Sequence, residues 1–395
     1  YKRFYYKCAE TDDLIECLRE VITDQKYGDI GQFVKFWTSE KGYPLVTFDG
    51  ENVSQARFTT NGLEELPEGK AWPIPLFILR KKKNDHSIVM DQIMFDKKTM
   101  SIKSIVDDSE WVKLNPGYRS FCRVYYSGET MHKLLPIIKD KTLDGIDRWS
   151  ILYDSISIAR AGLMPYGNII ELFEAYSEED EYLSAIQITD FMGQLMTLFP
   201  SLNLELQEFG KLVLGGILYR IGDKKVDGEP PDRSQLRCSL LSNLTFLCND
   251  EKTRQIGLEY FRYFRDNRKL PEGFDSNLLS FMLKCGAHYE KGATEFLWDL
   301  VKNEKDPEIQ CQACVAVGFC PIDELPENMV KSLSANKQDV INFFAGFSCN
   351  PEIGDRFYNF VKENCNQIYG MFESLAFNLP RTFEYAAGDF ADEAK

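Results

Sequence analysis

Histidine is nearly absent. The 395-residue chain has three, His86, His132 and His288, far apart in sequence. That leaves little from which to build an imidazole metal or acid–base site. They are followed by Ser87, Lys133 and Tyr289, so no His-Glu dipeptide exists and a His-Glu-x-x-His helix is excluded. Ser-His-Asp, Cys-His and P-loop signatures are missing too. Long apolar runs are also lacking: the longest, around 71–79 and 212–219, fall far short of the roughly 18 residues that a membrane span needs. The first residues, Tyr1-Lys2-Arg3-Phe4-Tyr5-Tyr6, carry neither an initiator Met nor an apolar signal core, which predicts a chain that begins inside a longer protein. Positive charge is in deficit: 46 Lys and Arg against 61 Asp and Glu give a net charge of −15. Such a chain repels phosphate backbones, which argues against nucleic acid as a main partner.

What is present is globular. Hydrophobic residues make up 44% and charged residues 27%, and the length predicts two or three domains. Eleven cysteines, an odd number without a signal segment, predict reduced thiols in a reducing, cytoplasmic setting. The triplets Asn52-Val53-Ser54 and Asn243-Leu244-Thr245 are no more than chance supplies, and Asn243 falls in a helical pattern.

Three textures follow one another. Residues 1–37 are helical in pattern: Thr11 with Asp12 and Asp13 predicts an N-cap, Leu14, Cys17, Leu18 and Val21 share a face, and a second short helix covers 30–37. Residues 42–126 carry short Val-, Ile-, Phe- and Tyr-rich runs at 43–48, 56–60, 74–79, 87–95, 99–105 and 121–126. They are broken by Asp49-Gly50, Asn61-Gly62, Lys83-Asn84-Asp85 and Asn115-Pro116-Gly117, which predicts a small antiparallel β-sandwich. From about 129 onward the pattern is helical, with stretches at 166–175, 181–196, 203–221, 233–247, 251–266, 274–285, 292–303, 308–317, 336–346 and 351–366. Pro165, Pro200, Pro230-Pro231, Pro271, Pro307, Pro321 and Pro351 punctuate them. The predicted fold is α+β, mostly α, in several domains: the sandwich and then an irregular HEAT- or armadillo-like α-solenoid bowl without a strict internal repeat.

Few constellations suggest chemistry. Cys285-Gly286-Ala287-His288, Cys311-Gln312-Ala313-Cys314 and Cys320 superficially resemble a structural zinc site. The same spacing arises when small residues share the packed face of a helix, and that reading is preferred. His86 beside Lys81-Lys82-Lys83-Asn84-Asp85 fits a solvated hairpin turn, and His132 an exposed position on a short helix. Asp147-Arg148 opens the helix that carries Trp149, Leu152, Tyr153 and Ile156, with the acid suited to the helix start and the Arg able to pair with a neighbouring element. Gly215-Gly216 lies in a helical apolar run, where small residues allow close packing.

Several stretches resemble the C-terminal half of the gluzincin aminopeptidases, closest to the puromycin-sensitive branch. One is 11–18 followed by Phe36-Trp37-Thr38-Ser39-Glu40-Lys41-Gly42-Tyr43-Pro44-Leu45-Val46. A second is Trp111-Val112-Lys113-Leu114-Asn115 leading to Phe121-Cys122-Arg123-Val124-Tyr125-Tyr126. A third is Leu134-Leu135-Pro136 with Asp147-Arg148 through Ala159-Arg160-Ala161-Gly162. A weaker fourth runs from Asn350-Pro351 to Phe360-Val361-Lys362-Glu363-Asn364. The resemblance implies that 1–37 are the last helices of a truncated thermolysin-like catalytic domain, 38–128 a β-sandwich, and 129–395 a helical bowl lacking its last helices beyond 391–395. Departures are Ser120 for Gly, Cys122 for Tyr and Cys365 for Trp. Thr253 stands where the extracellular branch has the second Cys of a disulfide, with Cys248 out of register, which points to the cytosolic branch.

The family's zinc motif and its Gly-x-Met-Glu-Asn amine-binding motif are both absent, so no catalytic, cofactor-binding or metal residue is assigned here. Zinc is expected in a catalytic domain outside this chain. The resemblance then implies a non-catalytic region of a zinc aminopeptidase, a hydrolase that removes N-terminal residues from peptides. This region would enclose the substrate chamber and limit access to it, and would be inactive alone, with peptides as partners of the parent and neither nucleic acid nor membrane involved. The alternative is an inactive aminopeptidase-like scaffold that binds a protein or peptide through the concave solenoid face.

Overall fold

The computed structural model describes residues 2–22, 28–350, 353–372 and 378–387, so Pro351 and 391–395 lie outside the described residues. The chain divides into two compact units, Tyr1–Gln187 and Ile188–Lys395. The boundaries expected at 37 and 128 both fall inside the first.

The first unit opens with α1 (Thr11–Val21) and α2 (Ile30–Ser39). The cap of α1 is Glu10 rather than Thr11. Asp13 stands at the third helical position and accepts the Glu10 N–H at 2.9 Å, while the Glu10 side chain takes the Asp13 N–H, a reciprocal box that moves the helix start by one residue. Eight strands follow: β1 (Tyr43–Phe48), β2 (Asn52–Thr59), β3 (Gly62–Glu64), β4 (Ile74–Lys82), β5 (Ile88–Phe95), β6 (Thr99–Ser101), β7 (Ser109–Leu114) and β8 (Arg123–Tyr126). One sheet runs β3-β2-β1-β8 with β6 on β2, and the other runs β5-β4-β7. Strand β4 shows why they face one another. Ile74, Leu76 and Ile78 are fully buried while Pro75, Phe77 and Leu79 between them are half-exposed, the period of two of a one-sided sheet. The Tyr126 hydroxyl of one sheet meets Leu114 of the other, accepting its N–H at 2.9 Å.

Three expectations are corrected. The run 99–105 is a strand only to Ser101; Ile102 and Val106, four apart, are both buried, a helical spacing, and the chain takes a short helix α3 (Lys103–Val106). Strand β8 begins at Arg123 because Asn115 and Ser120 exchange side-chain-to-backbone bonds of 2.8 and 2.9 Å that hold the preceding segment as a turn. The pairs are antiparallel except β1 with β8, which run parallel with Leu45 opposite Arg123.

Helices α4 (Gly128–Lys139), α5 (Gly145–Arg160) and α6 (Tyr166–Ala175) complete the unit, with α4 against β7 and β8 and α5 against β8 and the 310 turn Pro116–Tyr118. Helix α5 is fastened by charges taken out of water. Asp147 accepts the Gly117 N–H at 2.7 Å and lies 3.7 Å from the Lys113 ammonium. One turn-pair later Asp154 accepts from the Val124 N–H at 2.9 Å, from Tyr118 at 3.0 Å and from Arg123 at 3.0 Å. Burial lowers the Lys113 ammonium and raises the Asp154 carboxyl to about 6, although their partners pull the other way. Arg148 points to the opposite side and forms a two-pronged bridge to Glu179, 2.8 Å on each prong, the partnership across elements that the sequence predicts.

In the second unit α7 (Tyr182–Leu198), which runs across the division, is followed by α8 (Asn203–Ile221), α9 (Pro231–Phe246), α10 (Glu251–Asn267), α11 (Leu279–Tyr289), α12 (Ala293–Asn303), α13 (Pro307–Val317), α14 (Leu325–Ser332), α15 (Lys337–Ser348), α16 (Gly354–Glu363), α17 (Cys365–Phe372) and α18 (Asn378–Ala387). Pro231 and Pro307 sit at helix starts, where the missing N–H costs nothing. The stretch expected as a helix at 274–285 starts as a 310 turn, Ser276–Leu278, capped by Asp275, and continues directly into α11, which covers the rest of it. Neighbours in sequence pack together, α8 on α9, α9 on α10, α10 on α11 and α12 on α13, and α13 skips to α15. The shared core includes Phe261, Leu283, Leu297, Val317, Phe343 and Phe357. The fold is thus α+β and mostly α, as predicted.

Burial alone would raise the Glu179 carboxyl, but the Arg148 fork and the N–H groups of Glu181 and Asp180 outweigh it and hold it below the ordinary range. Its stabilising share is therefore complete above the ordinary carboxylate range and is lost as pH falls through the lower folded value. Glu179→Gln, which strands a buried guanidinium, should cost about 3–5 kcal/mol in urea unfolding at pH 7, and the penalty should shrink toward pH 3. A penalty under about 1 kcal/mol at pH 7 would mean that the bridge is dispensable.

Candidate functional site

The cysteines singled out by spacing serve packing. Helices α10 and α11 cross with their backbones close. A Cβ on Gly257 would lie 2.3 Å from the Cys285 sulfur, and one on Gly286 would lie 2.1 Å from the Phe261 ring. Cys285-Gly286 is thus half of a reciprocal knob-and-notch. Cys314 and Cys320 are buried in the core, and burial lifts both thiols to about 12 and pushes those of Cys285 and Cys311 up as well. Among the described residues no group of three or more His, Cys, Asp or Glu could hold a metal ion.

The histidines lie apart. His86 occupies a left-handed turn (φ 55°), where its Nδ1 meets Glu110. His132 is exposed on α4. His288, next to last in α11, lines a cavity of about 220 Å³ with Gln207, Phe246, Asn249, Tyr289, Phe319 and Asn350. Sequence reasoning grouped His288 with the cysteines and missed the rest of this set. The available signal was that an aromatic or amide residue closes each of several helices.

The cavity lies where four helices finish. Helix α9 ends at Phe246 and α11 at Tyr289; Phe319 and Asn350 come just after α13 and α15. Two glycines set this geometry. A Cβ on Gly346 would lie 2.1 Å from the Val315 carbonyl oxygen, and one on Gly318 would lie 2.3 Å from the Gly346 backbone. With neither side chain present, α13 and α15 touch through their main chains, and the Asn350 amide donates to the Gly318 carbonyl at 2.8 Å. The walls are aromatic. Phe246 is near-parallel to Tyr289 at 6.1 Å and tilted to Phe319 at 5.2 Å, and the His288 ring stands edge-on to Phe246 and Tyr289. Two cations lie over two of these rings, Arg254 over Tyr289 at 4.4 Å and Lys284 over Phe319 at 4.9 Å. The buried His288 Nδ1 has no hydrogen-bond partner.

The chain matches the ERAP1-like C-terminal domain family over residues 111–395. It belongs to that family. It is 23% identical to a puromycin-sensitive aminopeptidase of Caenorhabditis elegans, over 100% of this chain and 42% of the relative. It is 24% identical to Tricorn protease-interacting factor F2 of Thermoplasma volcanium over 94% of this chain and 43% of that protein, and 25% identical to a glutamyl aminopeptidase of Mus musculus over 50% of this chain. The chain spans about two fifths of the length of the first two relatives. The resemblance read from the motifs is thereby borne out. Among the described residues, no helix is long and apolar enough to cross a membrane.

A thiol reagent should modify exposed Cys8 and Cys349 in the native chain, while buried Cys122, Cys248, Cys285, Cys314 and Cys320 react only on unfolding, and EDTA should leave the melting temperature unchanged; a chelator-induced drop would restore the metal reading. Gly346→Ala should destabilise by at least about 1–3 kcal/mol in urea, because the Val315 carbonyl cannot retreat as a flexible side chain would.

Proposed function

We propose that this chain is the non-catalytic C-terminal region of a zinc aminopeptidase that removes N-terminal residues from peptides. The observation that carries this is alignment of the whole chain with a puromycin-sensitive aminopeptidase, together with the absence of any His-Glu dipeptide. Zinc and its activated water belong to a catalytic domain elsewhere in the parent. The proposed division is 1–37 as the end of that domain, 38–128 as a rigid sandwich spacer, and 129–395 as a solenoid bowl whose concave face encloses the substrate chamber and limits entry. Peptides are the partners in the parent, neither nucleic acid nor membrane takes part, and the reduced thiols fit a cytoplasmic protein.

The purified chain should leave aminoacyl reporter substrates intact and hold no stoichiometric zinc, while the parent cleaves them. A parent lacking 129–395 should cleave short reporters and lose its discrimination against long polypeptides. Hydrolysis by the chain alone, or unchanged length discrimination in the truncated parent, would overturn the proposal. A stable protein captured on this chain, from a parent without a working zinc motif, would favour the scaffold reading instead.

A further inference from the structure

Strand β5 (Ile88–Phe95) forms an open edge. It ends the three-stranded sheet and, among the described residues, pairs only with β4. Two main-chain bonds fix which way its groups point. The Lys82 N–H donates to the Ser87 carbonyl at 3.0 Å on the β5 side of β4, and the Asn115 N–H donates to the Phe77 carbonyl at 2.8 Å on the other side. Continued along the antiparallel pair, this alternation turns Val89, Asp91, Ile93 and Phe95 to β4. Ile88, Met90, Gln92 and Met94 then turn their N–H and C=O groups to the open edge. Their side chains line the outer face of the sheet, where Ile88 is 52% and Met90 46% exposed.

Native edges are usually blunted by a Lys, a Pro or a bulge. Strand β5 has none of these. Its 8 residues pair with β4 without a register shift, and its one charge, Asp91, turns to the inner face and is taken by Arg80 at 2.7 Å. Such an edge is a template for another strand. Beside it stands an unmatched cation. The Arg119 guanidinium lies over the Phe77 ring at 5.5 Å and 3.4 Å from the Met90 sulfur, and among the described residues no carboxylate pairs with it. On an added strand, the side chain opposite Met90 would start about 5 Å away, within reach of that guanidinium. A second copy of β5 offers this face only Ile88, Met90, Gln92 and Met94, none of them an acid. The charge therefore selects a different segment, one that carries a carboxylate.

We propose that the β5 edge takes up an extended peptide segment as an added antiparallel strand, with a carboxylate opposite Met90 for Arg119 and apolar side chains opposite Ile88 and Met94. The sandwich, a spacer in the function proposed above, is then also a peptide-docking surface.

The probe is the peptide Ac-VTTTETV-NH2, whose antiparallel pairing sets the glutamate opposite Met90 and the valines opposite Met94 and Ile88. In the 395-residue chain labelled at its 10 methionine methyls, the peptide should shift the signals of Met90 and Met94 saturably, while those of buried Met192, Met282 and Met329 stay in place. Replacing the glutamate by glutamine should weaken binding about fivefold, the worth of a good exposed ion pair. In Arg119→Gln the two peptides should bind within about twofold of each other. N-methylation of the glutamate and of the threonine opposite Gln92 removes donors that face β5 and should weaken binding more than about tenfold. N-methylation of the threonines opposite Asp91 and Val89, whose N–H groups face away, should cost less than about threefold. The proposal fails if neither methyl moves, if the glutamine peptide binds the unaltered chain as tightly, or if the two N-methylated peptides bind alike, whether or not the variant folds. It fails too if the chain without peptide sediments as a dimer that Met90→Lys separates, which would give the edge to a second copy.

Discussion

Two carboxylates seven residues apart on α5, Asp147 and Asp154, are buried against the sandwich, and the first unit is organised around them. Each accepts a backbone N–H, Asp147 that of Gly117 between β7 and β8 and Asp154 that of Val124 in β8, and each meets a cation from a strand, Lys113 and Arg123. Apolar contact alone would let the helix slide along the sheet. Carboxylates that must find donors at fixed positions cannot, because one residue of slippage would leave several buried charges unpaired at once. The Arg148–Glu179 bridge then ties the opposite side of the same helix to the chain leaving α6.

The second unit is organised by the absence of side chains. Gly257 and Gly286 bring α10 onto α11, and Gly318 and Gly346 bring α13 onto α15. Close crossings of this kind fix where helices end relative to one another, so residues distant in sequence, such as Phe246, His288, Phe319 and Asn350, come to one place. Membership of the ERAP1-like C-terminal domain family accounts for the helical array without assigning this cluster a role.

Legibility in the sequence followed locality. Strand β1, helix α6 and helix α8 begin and end where hydrophobic period and turn residues put them, since those signals lie within each segment. Strand β7 was recognised only as a family motif, because its Lys113 is a buried charge whose partner Asp147 comes from a distant helix. The short helix at Lys103–Val106 was hidden inside an apparent strand, since Ile102 and Val106 reveal helical burial only once the sheet is in place. The cavity was illegible for the same reason: its members come from α8, α9, α11 and the segments after α13 and α15, and no local pattern joins them. Cys285-Gly286 was noticed for its thiol, whereas its partner Gly257 explains it.

The parallel pairing of β1 with β8 carries a mechanical consequence. The chain enters the sandwich at Tyr43 and leaves it at Tyr126, which is paired with Phe48 at the far end of β1. An antiparallel last strand would have returned the chain to the end where it entered. Here entry and exit are separated along the strand direction by roughly 17 Å, five residues at about 3.3 Å each. Tension applied through the preceding helices and through α4 would therefore load the β1–β8 hydrogen bonds in shear, all together, where an antiparallel pair would peel open one bond at a time.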